Sequence, residues 1–494
     1  MVYCQVMKAI YLVTVLLLCI AGNLESQQFP SLDASPRAYE YARRTTGNAV
    51  HWRDLAEAAL WASAVNAGPG AEEKAAAYLA RIDAAAAEIA KEQPGDIKER
   101  GEYVLNFIHS RFLKSYSAKQ TRVDEIFESG RYNCVSSAVL YMVLGTAAGL
   151  NVNGVITKDH AFVTVHIGTE MIDVETTNRY GFDPGNRKEF LDTFGQTGFA
   201  YVPARNYRER TAITKVELVS LILSNRITGL EERNRYTEAV PLAINRAVFL
   251  ANSSTAHSEH KAMFFEDPRK NMMTRLFNLG AHLLKTGKED DVISWAVYAE
   301  ERFPDPDWQE LIKNAANNKL VKLIRAKKIT DAHAVLATVK PKLSETNYRE
   351  LELMVIEAEI ANHINTIRNP GDAEAALASL ATMGDRLPPQ RRNEMQTTAI
   401  LAEVSRLGKA RDWTGSIQWL ESALQKYGSN AKLETTLRTM RQNKIGELHN
   451  EFAALFNKKQ YEQAKAAIEK ALQEFPDNQQ LLKNLETVEK ALQP

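Results

Sequence analysis

Apolar residues recur at helical spacing over most of the chain, beginning with residues 31–120. Small and apolar side chains there lie three or four positions apart, as at Ala56 and Ala59, which predicts amphipathic helices. Pro-Gly pairs at 69–70 and 94–95 predict breaks between these helices. We therefore predict a helical N-terminal region over residues 31–120.

Residues 121–210 carry a different pattern. The run at 135–150 is apolar nearly all round, which predicts a buried helix. The runs at 160–166 and 171–176 are rich in strand-forming residues, and Gly168 lies between them. Such a pattern predicts an antiparallel hairpin. This segment is thus expected to be a small α+β domain.

From residue 215 to residue 494 the helical spacing returns, and it repeats. Similar units recur every 40 to 48 residues, with equivalent positions at Val292, Ala332, Ala376, Ser416 and Ala464. Repeats of this length predict stacked helix pairs, so we expect a C-terminal α-solenoid. The alternative is a generic α-helical array.

Length and charge limit the possible functions. With 494 residues, the chain exceeds the size at which a single hydrophobic core stops growing, so more than one domain is expected. Lys plus Arg and Asp plus Glu each number 61. Because no basic excess exists to neutralise phosphates, nucleic acid is not an expected partner.

Residues 1–22 have the pattern of an export signal. Lys8 precedes an apolar run of 12 residues at 9–20, and small residues follow. A helix of that length rises only about 18 Å, less than the ~30 Å hydrocarbon core of a membrane. We therefore predict a periplasmic or secreted protein. An uncleaved signal, or one lipidated at Cys19, would anchor it to the membrane instead.

Cys134 is the candidate nucleophile. The other cysteines, Cys4 and Cys19, lie in the predicted signal, so the mature chain would have one thiol and no internal disulfide. A cysteine at the start of a helix feels the positive end of the helix dipole, which favours the thiolate. Ser136 and Ser137 are expected to cap the helix. The alternative is that Cys134 is a small, inert core residue.

A histidine and two acids on the predicted hairpin could complete a site. Opposite residues of a hairpin lie about 5 Å apart, so Glu175 or Asp173 could orient the imidazole of His160. The alternative is a solvated polar face. A metal site of His160, His166 and Asp173 is disfavoured, since six residues of extended strand span about 20 Å. No metal or cofactor is expected.

These residues resemble the transglutaminase-like superfamily, whose members share a papain-type cysteine-hydrolase core. The resemblance lies in Cys134 at a helix start, in the segment His160-Ala-Phe-Val, and in the acid of Val174-Glu175-Thr176. Phe162 replaces the usual tryptophan, and Glu175 the usual aspartate. Separately, the units that end at Pro304 and Pro476 resemble tetratricopeptide repeats.

The resemblance implies a papain/transglutaminase-like α+β domain over residues 121–210. It implies Cys134 as nucleophile, His160 as general base and acid, and Glu175 as the residue that orients His160, with Asp173 as fallback. The protein would be an exported peptidase or amidase acting on a peptide or amide at Cys134. Residues 215–494 would bind a protein or peptide. The alternative is a non-catalytic binding or scaffold protein.

Overall fold

The computed structural model describes residues 29–46, 50–65, 69–192, 201–251 and 264–493. The predicted export signal lies outside these ranges. Within them the chain is mainly α-helical, with twenty α-helices and six short strands. None of the described helices is both long and apolar enough to cross a membrane.

The helices follow one another with short connections along most of the chain. In chain order they are α1 (Pro36–Arg44), α2 (Trp52–Ala62), α3 (Ala71–Glu92), α4 (Ile97–Arg111), α5 (Val123–Ser129), α6 (Cys134–Ala147), α7 (Lys188–Asp192), α8 (Lys215–Glu231), α9 (Tyr236–Leu250), α10 (Pro268–Lys285), α11 (Glu289–Arg302), α12 (Asp307–Arg325), α13 (Ile329–Val339), α14 (Glu345–Asn365), α15 (Asp372–Met383), α16 (Pro389–Lys409), α17 (Trp413–Tyr427), α18 (Ala431–Asn457), α19 (Tyr461–Glu474) and α20 (Gln479–Leu492).

The strands form two small sheets. They are β1 (Ser115–Tyr116), β2 (Arg131–Tyr132), β3 (Asn151–Ile156), β4 (Ala161–Ile167), β5 (Glu170–Val174) and β6 (Thr211–Ile213). Strands β1 and β2 pair in parallel, and the other four form an antiparallel sheet in the order β5-β4-β3-β6. The predicted hairpin is confirmed, with Val163 opposite Val174. Strand β6 carries no clear sequence signal.

The chain divides into two compact units between Leu311 and Ile312. Helix α6 lies at the centre of the first unit and is buried continuously from Cys134 to Gly145, which confirms the predicted buried helix. Helices α2, α4 and α8 pack on it, together with β3 and β4. An almost wholly apolar helix requires such cover on every side.

The second unit is built from helices that each pack against the next one in the chain, from α13 to α20. One of its apolar clusters includes Ile360, Leu380 and Leu420, which come from α14, α15 and α17. The predicted helical character of this part of the chain is therefore confirmed.

The papain/transglutaminase-like α+β domain expected over residues 121–210 is not shown. The four-stranded sheet has strands of only three to seven residues, too little surface to cover α6. Helices from outside that range cover it instead, and the core of the first unit extends from Ala38 to Phe265. The result is a mainly helical unit with a small sheet.

Candidate functional site

The start of helix α6 fixes the position of Cys134. Asn133 precedes the helix, and its side-chain oxygen accepts a hydrogen bond from Ser136 N at 3.0 Å. In return, Asn133 N donates to Ser136 Oγ at 3.0 Å, which completes a capping box. Ser137 Oγ donates to the Asn133 carbonyl at 2.9 Å. Ser136 is thus part of the cap, as predicted, whereas Ser137 donates to a carbonyl instead of capping an N–H. Cys134 is held as the first helical residue.

His160 lies between Cys134 and Glu175. Its Nε2 is 2.7 Å from Oε2 of Glu175, and both side chains are buried. Burial alone lowers the pKa of His160, but the charge of Glu175 and hydrogen bonds with Cys134 and Glu175 raise that pKa to about 10. The imidazole therefore keeps its proton at neutral pH. Since Nε2 contacts Glu175, Nδ1 is the ring nitrogen that can exchange a proton with Cys134.

The Glu175 carboxylate is fixed from its other side. Thr177 donates to Oε1 through its hydroxyl at 2.7 Å and through its backbone N at 3.2 Å. The backbone N of Glu175 donates to Gly181 O at 2.7 Å. These contacts position the longer side chain of a glutamate so that it still reaches His160.

Residues that the sequence did not indicate hold this segment in place. His109 Nε2 lies 3.1 Å from Thr176 O, and Tyr132 donates its hydroxyl to Thr177 O at 3.2 Å. The hydroxyls of Thr176 and Ser137 are 2.9 Å apart. Burial lowers the pKa of His109 to about 4, although the Thr176 hydrogen bond opposes this shift. His109 is therefore neutral near pH 7 and can donate to the carbonyl. Nothing in its local sequence distinguishes it.

Asp173, the fallback orienter, has other partners. Its carboxylate accepts hydrogen bonds from Thr164 at 2.9 Å, Tyr201 at 2.7 Å, and Arg210 at 2.6 and 2.8 Å. Asp173 thus forms a separate buried ion pair with Arg210. The carboxylate that contacts His160 is that of Glu175.

The three residues of the disfavoured metal site are also kept apart. His166 Nε2 lies 3.2 Å from the side-chain nitrogen of Asn153, while His160 and Asp173 contact Glu175 and Arg210 respectively. Among the described residues, no group of three or more His, Cys, Asp or Glu side chains could hold a metal ion.

Cys134 and His160 both line a cleft of about 830 Å³. Gln120, an upstream amide, lines the same cleft. Its side-chain nitrogen already donates to the carbonyls of Arg122 at 2.8 Å and Arg131 at 2.7 Å, so it holds the chain and is not placed as an oxyanion donor. Asn133 accepts from the backbone N of Ser136 and of Ser137. The backbone N–H groups of Cys134 and Val135 are therefore the candidates for that role, because the first turn of a helix leaves them without helical partners.

Comparison with known proteins does not assign the chain to a family. No protein-family model matches it, and no curated protein matches it. Among solved structures, it is similar to a crystal structure of menin that reveals the menin binding site for the Mixed Lineage Leukemia (MLL) protein. That match has a TM-score of 0.30 and 13% sequence identity, and covers 76% of this chain and 94% of menin. A score this low does not show a shared fold.

The expected membership of the transglutaminase-like superfamily, with fused tetratricopeptide repeats, is therefore wrong. No family model supports either assignment, and the described chain is mainly helical, with a small sheet in place of a papain-like domain. The short motifs around Cys134, His160 and Glu175 suggested the family. They describe a local arrangement of side chains, and such an arrangement occurs on unrelated folds.

Proposed function

We propose that this protein is a cysteine hydrolase that cleaves peptide or amide bonds with Cys134, His160 and Glu175. One observation carries the proposal. The buried His160 ring meets a fixed carboxylate at Nε2 and lines the same open cleft as Cys134, whose thiol contributes to the raised pKa of the ring. A nucleophile, a base and a group that orients the base are the parts that covalent acyl transfer requires.

The first half of the reaction breaks the amide. The Cys134 thiolate attacks the carbonyl carbon and forms a C–S bond. As the tetrahedral intermediate collapses, the C–N bond breaks and protonated His160 gives its proton to the departing amine. The product that remains on the enzyme is a thioester at Cys134.

The second half returns the enzyme to its starting state. Neutral His160 takes a proton from water, and the oxygen of that water attacks the thioester carbonyl. The C–S bond then breaks, which releases a carboxylic acid and leaves the Cys134 thiolate beside the His160 imidazolium. The Glu175 carboxylate stabilises each positively charged state of the ring.

The start of α6 supports the same chemistry. The oxygen of the attacked carbonyl becomes negative, and it would lie near the N–H groups and the positive dipole end of the helix that begins at Cys134. A lone thiol suits an exported protein only if it is protected or used in catalysis, as it would be here. We place this hydrolase in the periplasm or outside the cell on the basis of residues 1–22.

Cleavage of a defined peptide mixture tests the proposal. The protein is incubated with the mixture, and mass spectrometry identifies new termini. Cleavage by the wild type that is lost in Cys134→Ser, and that is reduced at least about a hundredfold in His160→Ala, supports the hydrolase. A Cys134→Ser variant with undiminished cleavage, or a wild type that cleaves no peptide, overturns it.

A binding role is the second candidate, and it rests on the second unit. A cleft of about 640 Å³ lies among α15, α16 and α17, with Leu377, Leu380 and Trp419 in its lining. Clefts that combine apolar walls with a few polar groups are typical binding sites. A peptide or protein segment is the ligand that a surface of successive packed helices would accept. In this reading the first unit would be structural and Cys134 inert.

Peptide selection against the full chain tests this second role. Ala378 is exposed and lines the cleft, whereas Ala375 is exposed on the same helix and does not line it. Selected peptides should lose binding to Ala378→Arg and keep binding to Ala375→Arg. Equal binding to both variants would exclude this cleft as the binding site.

A further inference from the structure

The cleft beside Cys134 carries an excess of positive charge. Seven ionisable side chains other than Cys134, His160 and Tyr116 line it, of which five are cationic and two are acidic. The cationic ones are Lys119, Arg122, Lys158, Arg226 and Arg233, and the acidic ones are Asp159 and Glu232. The whole chain is electrically neutral, so this excess is local.

Several of these cations already have partners. Arg122 makes two hydrogen bonds to the buried carboxylate of Asp124, at 3.1 and 2.5 Å. Lys119 forms an exposed ion pair with Glu232 at 3.6 Å. Arg233 donates through Nε to the carbonyl of Gly229 at 2.6 Å, which caps the last turn of α8.

Arg226 differs from them. It lies on α8, and one nitrogen of its guanidinium donates to the carbonyl of Ala62. Within the described part of the chain, no carboxylate forms a salt bridge with it. Burial and, to a smaller extent, the nearby charge of Arg122 lower the pKa of Arg226 to about 10, and Asp124 only partly opposes these effects. A positive charge in this position is costly, and an anionic ligand would offset the cost.

We propose that this cleft binds the amide substrate through an anionic group, held chiefly by Arg226. The proposal rests on the hydrolase function, and it names the substrate class. A guanidinium presents its donors in a planar fork that matches a carboxylate. That carboxylate could be an acidic side chain next to the cleaved bond or the free C-terminus of a short peptide.

Alkylation of Cys134 probes the charge of the cleft without any turnover. Iodoacetate and iodoacetamide differ mainly in that iodoacetate is an anion. We expect the ratio of their rate constants at Cys134 to fall by about threefold to tenfold in Arg226→Gln, because an attractive charge is lost. Arg131→Gln is the matched control. That side chain is exposed, pairs with Glu125, and does not line the cleft, so its ratio should stay unchanged.

Matched peptides then identify the source of the anion. Cleavage is compared for peptides with Glu or Gln beside the cleaved bond, and for peptides ending in a free acid or an amide. The preferred anionic form should lose its advantage in Arg226→Gln, whereas the neutral form should be cleaved at a similar rate by both proteins.

The two proposals can fail separately. An unchanged alkylation ratio in Arg226→Gln, with neutral peptides still cleaved, overturns the anion site and leaves the hydrolase intact. A reduced ratio without cleavage of any peptide supports the cationic cleft and overturns the hydrolase. A Cys134 thiol that reacts with neither reagent in the folded protein overturns the anion site, since the cleft would then be closed to small anions.

Discussion

His160 Nε2 and Glu175 Oε2 lie 2.7 Å apart in a buried pair, and this contact organises the chemistry of the first unit. The carboxylate keeps the imidazole protonated and fixes its orientation toward Cys134. Thr177 and Gly181 in turn hold the glutamate. The site is therefore a chain of contacts from a loop to the start of a buried helix.

The stabilising effect of this pair should depend on pH. The pKa of His160 is about 10 in the folded protein against an ordinary value of 6.5. A raised pKa means that the stabilisation is complete below about pH 6.5 and is lost as the pH rises toward 10. We expect Glu175→Gln to lower the free energy of unfolding at pH 6 by about 1.5–3 kcal/mol, and by clearly less near pH 10.

Urea denaturation at both pH values measures this difference. Glu170→Gln is a suitable control, because Glu170 is exposed at the start of β5, the strand that ends just before Glu175, and its substitution should change little at either pH. An effect of Glu175→Gln that is equal at pH 6 and pH 10 would show that the pair is not ionised in the folded protein.

His160 should control the reactivity of Cys134. Removing the imidazolium in His160→Ala takes away the charge that favours the thiolate, so alkylation by iodoacetamide at pH 6 should slow by at least about tenfold. His166→Ala is the control, since His166 lies near the far end of β4, the strand that begins just after His160, and contacts Asn153. A thiol that reacts only after unfolding would point to an inert core cysteine.

Gly181 should be required for the position of Glu175. A Cβ atom added to Gly181 would lie 2.0 Å from the backbone oxygen of Glu175, so one of the two segments must move. We expect Gly181→Ala to destabilise the protein by about 1–3 kcal/mol and to slow alkylation of Cys134. Gly185→Ala serves as the control from the same loop, since its added Cβ would meet only a Tyr201 ring atom at 3.9 Å.

Asp173 should matter for stability and not for reactivity. Asp173→Asn leaves the Arg210 guanidinium, which is almost completely buried, without its carboxylate, and breaking a buried pair in this way costs about 3–5 kcal/mol. Thermal denaturation should show the loss. At a temperature where the variant is folded, alkylation of Cys134 should match that of the wild type. A large loss of reactivity would instead assign Asp173 a part in orienting His160.

The sequence by itself determined where the helices and the hairpin lie and which residues could carry the chemistry. The spacing of apolar residues predicted the helices, because an α-helix presents every third or fourth residue to one face. The same rule, with an almost wholly apolar run, identified α6 as buried, and Gly168 marked the turn of the hairpin. Cys134, His160 and Glu175 were named from their order along these elements, and the structure brings them together.

Only the tertiary structure decided which fold holds these elements and which acid serves the histidine. Alternation along a strand predicts that Asp173 and Glu175 lie on the same face of the sheet. In the structure, Arg210 and Tyr201 donate to the Asp173 carboxylate. Thr177 donates to Glu175, whose carboxylate contacts His160. The helices that cover α6 come from distant parts of the chain, so no local pattern could exclude a papain-like domain. The charged cleft likewise combines strand, loop and helix residues from 116 to 264, and their proximity is a product of packing alone.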